Sequence, residues 1–137
     1  MMLKTNFLID THVAIFAMCN HNELNREFIS ILEDLNSKIY ISMVSVWEVA
    51  IKSIKHPDKI PVNEKEFVKN CGKMEFDFLP IKASHILNIR NLRLKNNISH
   101  KDPFDKLLVS QSVCENLTLC TRDTLLLDYD VENVKII

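Results

Sequence analysis

The chain has a single glycine, Gly72, in 137 residues. Loops that cradle phosphates with backbone amides need several glycines for tight turns and close approach. A P-loop NTPase and a Rossmann-type dehydrogenase are therefore both excluded. Any phosphate must be handled by a metal or by side chains. Long apolar runs are missing too. The start, Met1-Met2-Leu3-Lys4, leads into a short apolar run that stops at Asp10. That run is shorter than a signal-peptide core and far shorter than a membrane span. The expectation is a cytoplasmic protein with no membrane attachment. Cysteine is sparse and scattered: Cys19, Cys71, Cys114 and Cys120 make no C-x-x-C pair, and no H-E-x-x-H is present. This excludes the usual zinc sites and predicts reduced thiols, with Cys114 and Cys120 inside apolar runs. Net charge is also lacking, at -1. Bulk charge thus neither suggests nor excludes a polyanionic partner, and any basic surface must be local.

What remains is an ordinary globular composition, 47% apolar and 26% charged, of one-domain size. A single domain over 1–137 is expected. Five short apolar runs read as strands: Thr5 to Ile9, Lys38 to Ser42, Asp77 to Ile81, Leu117 to Thr121 and Asn133 to Ile137. They are near-continuous rather than alternating, which suits a sheet covered on both faces. Helical periodicity lies between them. Leu24, Phe28, Ile31, Leu32 and Leu35 follow the 3.6-residue repeat, as do Trp47, Ala50, Ile51 and Ile54. Phe104, Leu107 and Leu108 open a further helix. Weaker ones run from Asn63 to about Cys71 and from Ala83 to Leu92. Strands that alternate with helices predict right-handed crossovers and a mostly parallel five-stranded sheet, an α/β fold.

In such a fold each helix runs antiparallel to its strands, and ligands bind where the strands end. Four acids fall on that edge. Asp10 follows the first strand. Glu48 opens the helix after the second strand. Asp105 opens the helix leading into the fourth strand, and Asp123 follows that strand. Each also has a plain structural reading. Ser45-x-x-Glu48 has the form of a capping box. Asp102-Pro103 reads as a helix cap with proline at the first helical position, and Asp105 is favoured near the positive helix end. Asp10 suits the cap of a helix starting at Thr11, and Asp123 that of a short helix at Thr124 to Leu127. Capping does not require four acids to meet. Two carboxylates 4 Å apart repel by roughly 4 kcal/mol at an effective dielectric of 20. Such a cluster raises carboxyl pKa values unless a cation neutralises it. Oxygen donors without cysteine or histidine suit a hard ion, Mg²⁺ or Mn²⁺, and hence phosphoryl chemistry. Between Lys82 and Lys101 the chain carries Lys82, Arg90, Arg93, Lys95 and Lys101 with no acid, and Arg122 adjoins Asp123. These basic residues are the expected phosphate contacts, with a solvated helix face as the plainer reading.

Leu8-Ile9-Asp10-Thr11-His12, Ser45-Val46-Trp47-Glu48, His100-Lys101-Asp102-Pro103-Phe104-Asp105-Lys106-Leu107-Leu108 and Thr121-Arg122-Asp123 together resemble the PIN-domain nucleases, above all the VapC-like toxins of bacterial toxin–antitoxin pairs. The likeness runs through nearly the whole chain in the same order and spacing. It implies an α/β/α sandwich on a parallel five-stranded sheet. It also implies Mg²⁺- or Mn²⁺-dependent endonucleolytic cleavage of structured RNA, tRNA or rRNA, by a homodimer that a cognate antitoxin silences.

The family's four acids map onto Asp10, Glu48, Asp105 and Asp123, as catalytic residues and metal ligands. Asp105 rather than Asp102 takes the third place because it immediately precedes the apolar helix run, which leaves Asp102 as the cap. Thr121 matches the small polar residue that orients the fourth acid or a phosphate, and with it Arg122, Lys101, Lys106 and Arg93 are the expected substrate contacts. Lys106 stands where relatives often carry arginine; it keeps the charge but loses the bidentate fork. His12 and His100 fit the pattern without a required chemical role. A catalytically silent module of the same fold that binds RNA or protein is the alternative, as is a phosphatase using Asp10 as a covalent nucleophile. The phosphatase class usually has a second aspartate two residues later, where this chain has His12.

Overall fold

A computed structural model describes residues 5–19, 22, 24–95 and 102–137. Five strands form one sheet: β1 (Thr5–Ile9), β2 (Ser37–Ser42), β3 (Asp77–Leu79), β4 (Thr118–Thr121) and β5 (Val134–Ile136). All five expected strands are present within two residues at each end. The sheet order is β3-β2-β1-β4-β5 and every neighbouring pair is parallel. The described helices are α1 (Thr11–Cys19), α2 (Arg26–Glu33), α3 (Met43–Lys55), α4 (Glu64–Lys73), α5 (Ala83–Leu87) and α6 (Pro103–Cys114). Short 3-10 segments follow α5 at Asn88–Asn91 and β4 at Thr124–Asp128. No described helix is long and apolar enough to cross a membrane.

Strand side chains alternate between faces, and the core divides accordingly. Phe7 and Ile9 of β1 join Ile39 and Ile41 of β2 against α1, α2 and α4, through Val13, Ala14, Phe28 and Phe67. Leu8 points the other way, with Leu119 of β4, against Leu107 and Leu108 of α6 and the Leu126–Tyr129 segment. The result is the α/β/α sandwich, with helices on both faces of the sheet. From β1 the chain crosses to β2 on one side, and later returns to β4 on the other. A crevice opens where the crossovers diverge, at the carboxyl ends of the strands.

Three features differ from the sequence reading. α2 ends at Glu33, with Asp34 as its cap, so Leu35 lies beyond the helix and is 99% exposed. α3 starts at Met43 with Ser42 as its cap, the Ser42 hydroxyl accepting from the Val44 amide at 3.0 Å. Ser45 and Glu48 therefore form no capping box, and Glu48 lies in the second turn. The buried face of α3 is Val44, Ser45, Glu48 and Val49, whereas Trp47 and Ile54 point outward. Finally, Cys114 is exposed rather than in the core; Cys71 and Cys120 are buried, and all four thiols are free.

Gly72 sits inside α4 and does not have a positive φ. The left-handed residues are Glu75 (φ 61°) and Asn116 (φ 54°), just past α4 and α6. Each helix closes with paired amide-to-carbonyl bonds: Phe76 to Cys71 at 3.1 Å and Glu75 to Gly72 at 3.1 Å, then Leu117 to Ser112 at 2.9 Å and Asn116 to Val113 at 3.3 Å. These are Schellman closures made without glycine.

A buried polar chain fixes α3 against α6. The Ser42 hydroxyl donates to Gln111 Oε1 at 2.5 Å, and Gln111 Nε2 donates to the Pro80 carbonyl at 3.3 Å. His85, fully buried, accepts at Nδ1 from the Lys82 amide at 3.0 Å, which leaves Nε2 as the protonated nitrogen facing Glu115 at 3.1 Å. With these groups satisfied, the helices that carry Glu48 and Asp105 hold a fixed relation to each other.

Candidate active site

At the carboxyl end of the sheet a cleft of about 90 Å³ is lined by Asp10, Thr11, His12, Glu48, Lys52, Asp102, Asp105 and Asp123. All four acids expected from the sequence line it. Three of the five acids that line the cleft also cap helices. Asp10 Oδ1 accepts from the Val13 amide at 2.8 Å and so caps α1. Asp102 Oδ1 accepts from the Phe104 and Asp105 amides at 2.9 and 3.3 Å, with Pro103 at the first helical position. Asp123 Oδ1 accepts from the Leu125 amide at 3.0 Å. Capping and membership of the cleft are not rivals: caps gather at helix starts, and helix starts gather at this edge.

Asp10 is 6% exposed. Its Oδ2 accepts a short hydrogen bond from the Thr121 hydroxyl. The same hydroxyl oxygen accepts from the Asp123 amide at 3.0 Å, so Thr121 couples the first acid to the fourth. Burial raises the Asp10 pKa above the usual carboxylate value. The Thr121 and Val13 hydrogen bonds and the His12 charge oppose that rise, and the Glu48 charge adds to it.

Glu48 is 3% exposed and held at both oxygens. Oε1 accepts from the Thr11 hydroxyl at 2.5 Å, and Oε2 forms a short ion pair with Lys52 one turn along α3. The Thr11 hydroxyl also lies 2.9 Å from the Ser45 hydroxyl. Thr11 has one proton and gives it to the carboxylate, so Ser45 is the donor in that second contact. Burial disfavours the Lys52 ammonium, but the bond and charge of Glu48, backed by Asp102 and Asp105, more than compensate, and the Lys52 pKa is raised. Lys52 was missed in the sequence reading. Its signal was there, in the i, i+4 spacing from Glu48.

Asp105 shows the acidic pressure most plainly. Burial, then the charges of Asp102, Glu48, Asp10 and Asp123, push its carboxyl up to about 7. Beside it, Phe104 meets Trp47 edge to face, with centroids 4.8 Å apart at 75°. The two aromatics precede Asp105 and Glu48 in sequence and tie α6 to α3 at the rim.

The expected substrate contacts gather less well. Thr121 is wholly buried, and its hydroxyl is committed to Asp10 and Asp123. It is a positioning residue and cannot touch substrate directly. Arg122 is exposed, but its guanidinium lies over the Phe16 ring, 4.5 Å from the centroid, and lines a separate hollow with Leu24, Asn25, Phe28 and Ile137. Arg93 bonds to the carbonyls of Arg90 and Leu92 at 3.0 and 3.3 Å, outside the cleft. Lys106 is half-buried and also does not line the cleft. Lys82 pairs with Glu115, the residue capping the opposite end of α6 from Asp105, at 3.5 Å. Lys101 and His100 lie outside the described residues.

The donor set suits a hard divalent cation in kind and in charge: carboxylate oxygens in a confined cleft, one of them with its pKa pushed up to about 7 by burial and then by its neighbours' charges. Spacing limits how it would be held. Among the described residues, no three of His, Cys, Asp and Glu stand close enough to grip one ion together. Water must supply part of any coordination shell, as is usual for Mg²⁺.

Residues 7–132 match the PIN domain. The chain belongs to the PIN-domain family. Solved structures of similar fold include VapBC2 from Rickettsia felis bound to a DNA fragment from its promoter, with 16% identity and a TM-score of 0.72 over 97% of this chain and 99% of that one. DNA-bound VapBC from Salmonella typhimurium gives 18% identity and 0.64 over 99% and 98%. A toxin–antitoxin complex from Klebsiella pneumoniae gives 18% identity and 0.59 over 94% and 95%. No curated protein matches the sequence. At these identities the solved structures establish the α/β/α PIN fold across almost the whole chain.

Proposed function

We propose that this PIN domain is an endoribonuclease that hydrolyses RNA phosphodiester bonds with Mg²⁺ or Mn²⁺, and that it is the toxin of a toxin–antitoxin pair acting on tRNA or rRNA. The observation that carries the nuclease reading is the convergence of Asp10, Glu48, Asp105 and Asp123 on one cleft, with Asp105 pushed up to about 7. The toxin reading is supported by fold: the similar structures are VapBC or toxin–antitoxin complexes. The same structures support a cognate antitoxin as partner; a homodimeric assembly and a cytoplasmic setting are part of the proposal.

Asp10, Asp105 and Asp123 would hold the cation, with water completing its shell and Glu48 closing the acidic wall. When bound, the ion supplies charge neutralisation at the phosphate and acidifies water. The chain's own groups set the geometry. Thr121 and the Val13 amide fix the Asp10 carboxylate in one rotamer. Thr11 and Lys52 fix Glu48, so that it orients and does not react. Among the described residues, no serine, cysteine or threonine stands free as a nucleophile in the cleft: Thr11, the hydroxyl residue lining it, is committed to Glu48. In the proposed reaction water attacks phosphorus, the P–O3′ bond breaks, and the products carry a 5′-phosphate and a 3′-hydroxyl.

The decisive experiment incubates the purified protein, freed of any partner, with total RNA in Mg²⁺ or Mn²⁺, beside EDTA, Asp10→Asn and Asp105→Asn controls. Discrete fragments are expected in metal alone, lost in EDTA and reduced to background by either substitution. Cleavage by Asp10→Asn at the wild-type rate would overturn the assignment. The second reading, a catalytically silent module that binds RNA or protein, is favoured by the wide spacing of the acids. A gel shift of RNA without cleavage would select it.

A further inference from the structure

A second hollow, of about 270 Å³, opens beside the acidic cleft and shares two of its walls. It is lined by His12, Lys52, His56, Lys59 and Ile60. Four of these five residues can carry positive charge, and among the described residues no carboxylate lines it. The local sequence explains why they gather. α3 ends at His56, whose amide donates to the Lys52 carbonyl at 2.8 Å. Pro57 and Asp58 then occupy the centre of a tight turn closed by the Lys59 amide on the His56 carbonyl at 3.0 Å. Proline at the first central position is a common turn choice, and the turn brings His56 and Lys59 close together. Ile60 packs against the core beneath and seats the turn. His12 reaches the hollow from the first turn of α1, directly after Asp10 and Thr11.

An acidic cleft by itself repels a polyanion. A nucleic-acid strand carries a negative charge at every nucleotide, so a strand with one phosphate in the cleft must lay the next one beside it. We propose that the hollow between α1 and the turn after α3 is a phosphate-binding subsite, in which His56 and Lys59, beside His12, hold a substrate phosphate neighbouring the scissile one, while the Lys52 ammonium stays paired with Glu48 and only its stem lines the wall. The inference rests on the reading of the cleft as RNA-cleaving, and it adds the direction in which the strand leaves. It also accounts for the basic segment anticipated around Lys82 and Arg93, whose described members do not line the cleft: cationic side chains border the cleft, but they come from α1, α3 and the following turn. An acidic peptide is the competing occupant. RNA is favoured because the hollow adjoins the cleft, sharing His12 and Lys52 as walls, so one strand can reach both.

The test uses the whole chain. RNA binding is measured by fluorescence anisotropy with a labelled single-stranded RNA in Mg²⁺, in the Asp10→Asn background so that the probe stays intact. Adding His56→Ala and Lys59→Ala is expected to weaken binding roughly tenfold near physiological salt. The slope of log affinity against log salt should fall by about 0.7 for each phosphate that the variant no longer neutralises. In the otherwise wild-type chain the same pair should raise KM and leave kcat nearly unchanged. Lys69→Ala on α4, which removes one positive charge elsewhere, should change neither. Unchanged affinity and salt slope in the double variant, with RNA still bound and cut, would overturn the subsite and leave the nuclease reading standing. Weakened binding of poly-glutamate with RNA binding intact would also overturn it, in favour of an acidic peptide. If the parent protein neither binds nor cuts RNA, the nuclease reading fails and the subsite with it.

Discussion

Burial, and then the charges of four neighbouring carboxylates, push the Asp105 carboxyl from its ordinary value of 3.8 up to about 7. The sign of the linkage follows. The folded chain holds this proton more tightly than the unfolded chain, so the contribution to stability is complete below pH 3.8 and is lost as pH rises through about 7. Metal-free wild type should therefore melt lower at pH 8 than at pH 5, relative to Asp105→Asn, which should be the more stable of the two at pH 8. Mg²⁺ at pH 8 should raise the wild-type melting temperature more than that of the variant. Parallel melting curves for the two proteins across this range would show that the acids do not press on one another. The acids themselves were legible, because helix starts and strand ends are marked by sequence. Two neighbouring features were less so. Thr121 was expected to orient the fourth acid or a phosphate; its hydroxyl does meet the Asp123 amide, but only the three-dimensional register buries it and adds Asp10 as its second partner. Lys52 looked like any solvated lysine of a helix, although it pairs with Glu48 one turn before it on the same face of α3, at the cleft wall.

At the scale of elements, α3 shows what periodicity leaves open. Its sequence offers an apolar stripe through Trp47, Ala50, Ile51 and Ile54. The helix instead buries the stripe with Ser45 and Glu48 in it, because that side faces the cleft and finds partners in Thr11 and Lys52. A pattern of apolar residues cannot reveal that a polar face has partners waiting. The glycine economy also becomes concrete here. An added Cβ at Gly72 meets nothing within 4 Å, whereas the left-handed position after α4 is filled by Glu75. Gly72→Ala should stabilise the protein by roughly 0.5–1 kcal/mol through helix propensity. Glu75→Gly should add about 1 kcal/mol by relieving the left-handed strain. Urea unfolding of the two variants and of the pair checks both; a loss of stability in Gly72→Ala would mean that α4 tolerates no tighter helix.

For the whole molecule, the five strands and their mostly parallel sheet were legible because five apolar runs alternate with helical segments; the order β3-β2-β1-β4-β5 came only with the structure. The limit of α2 was less so, since Leu35 keeps the helical period after the backbone has already turned away at Asp34. Burial separates two leucines that look alike in sequence. Leu8, on the central strand and fully buried, should cost about 2–5 kcal/mol when replaced by alanine. That is a large share of the roughly 5–15 kcal/mol typical of a domain. Leu35→Ala should stay within about 0.5 kcal/mol. Equilibrium unfolding in urea measures both, and equal effects would contradict the core described here. The central position of β1 has one more consequence. Its first acid, Asp10, is fixed by a residue 111 positions later, on β4. A ribosome delivers Asp10 and Glu48 first, and Asp105, Thr121 and Asp123 only more than fifty residues later. In a nascent chain the acidic cleft is therefore missing until Asp123 has been made and β4 has paired with β1.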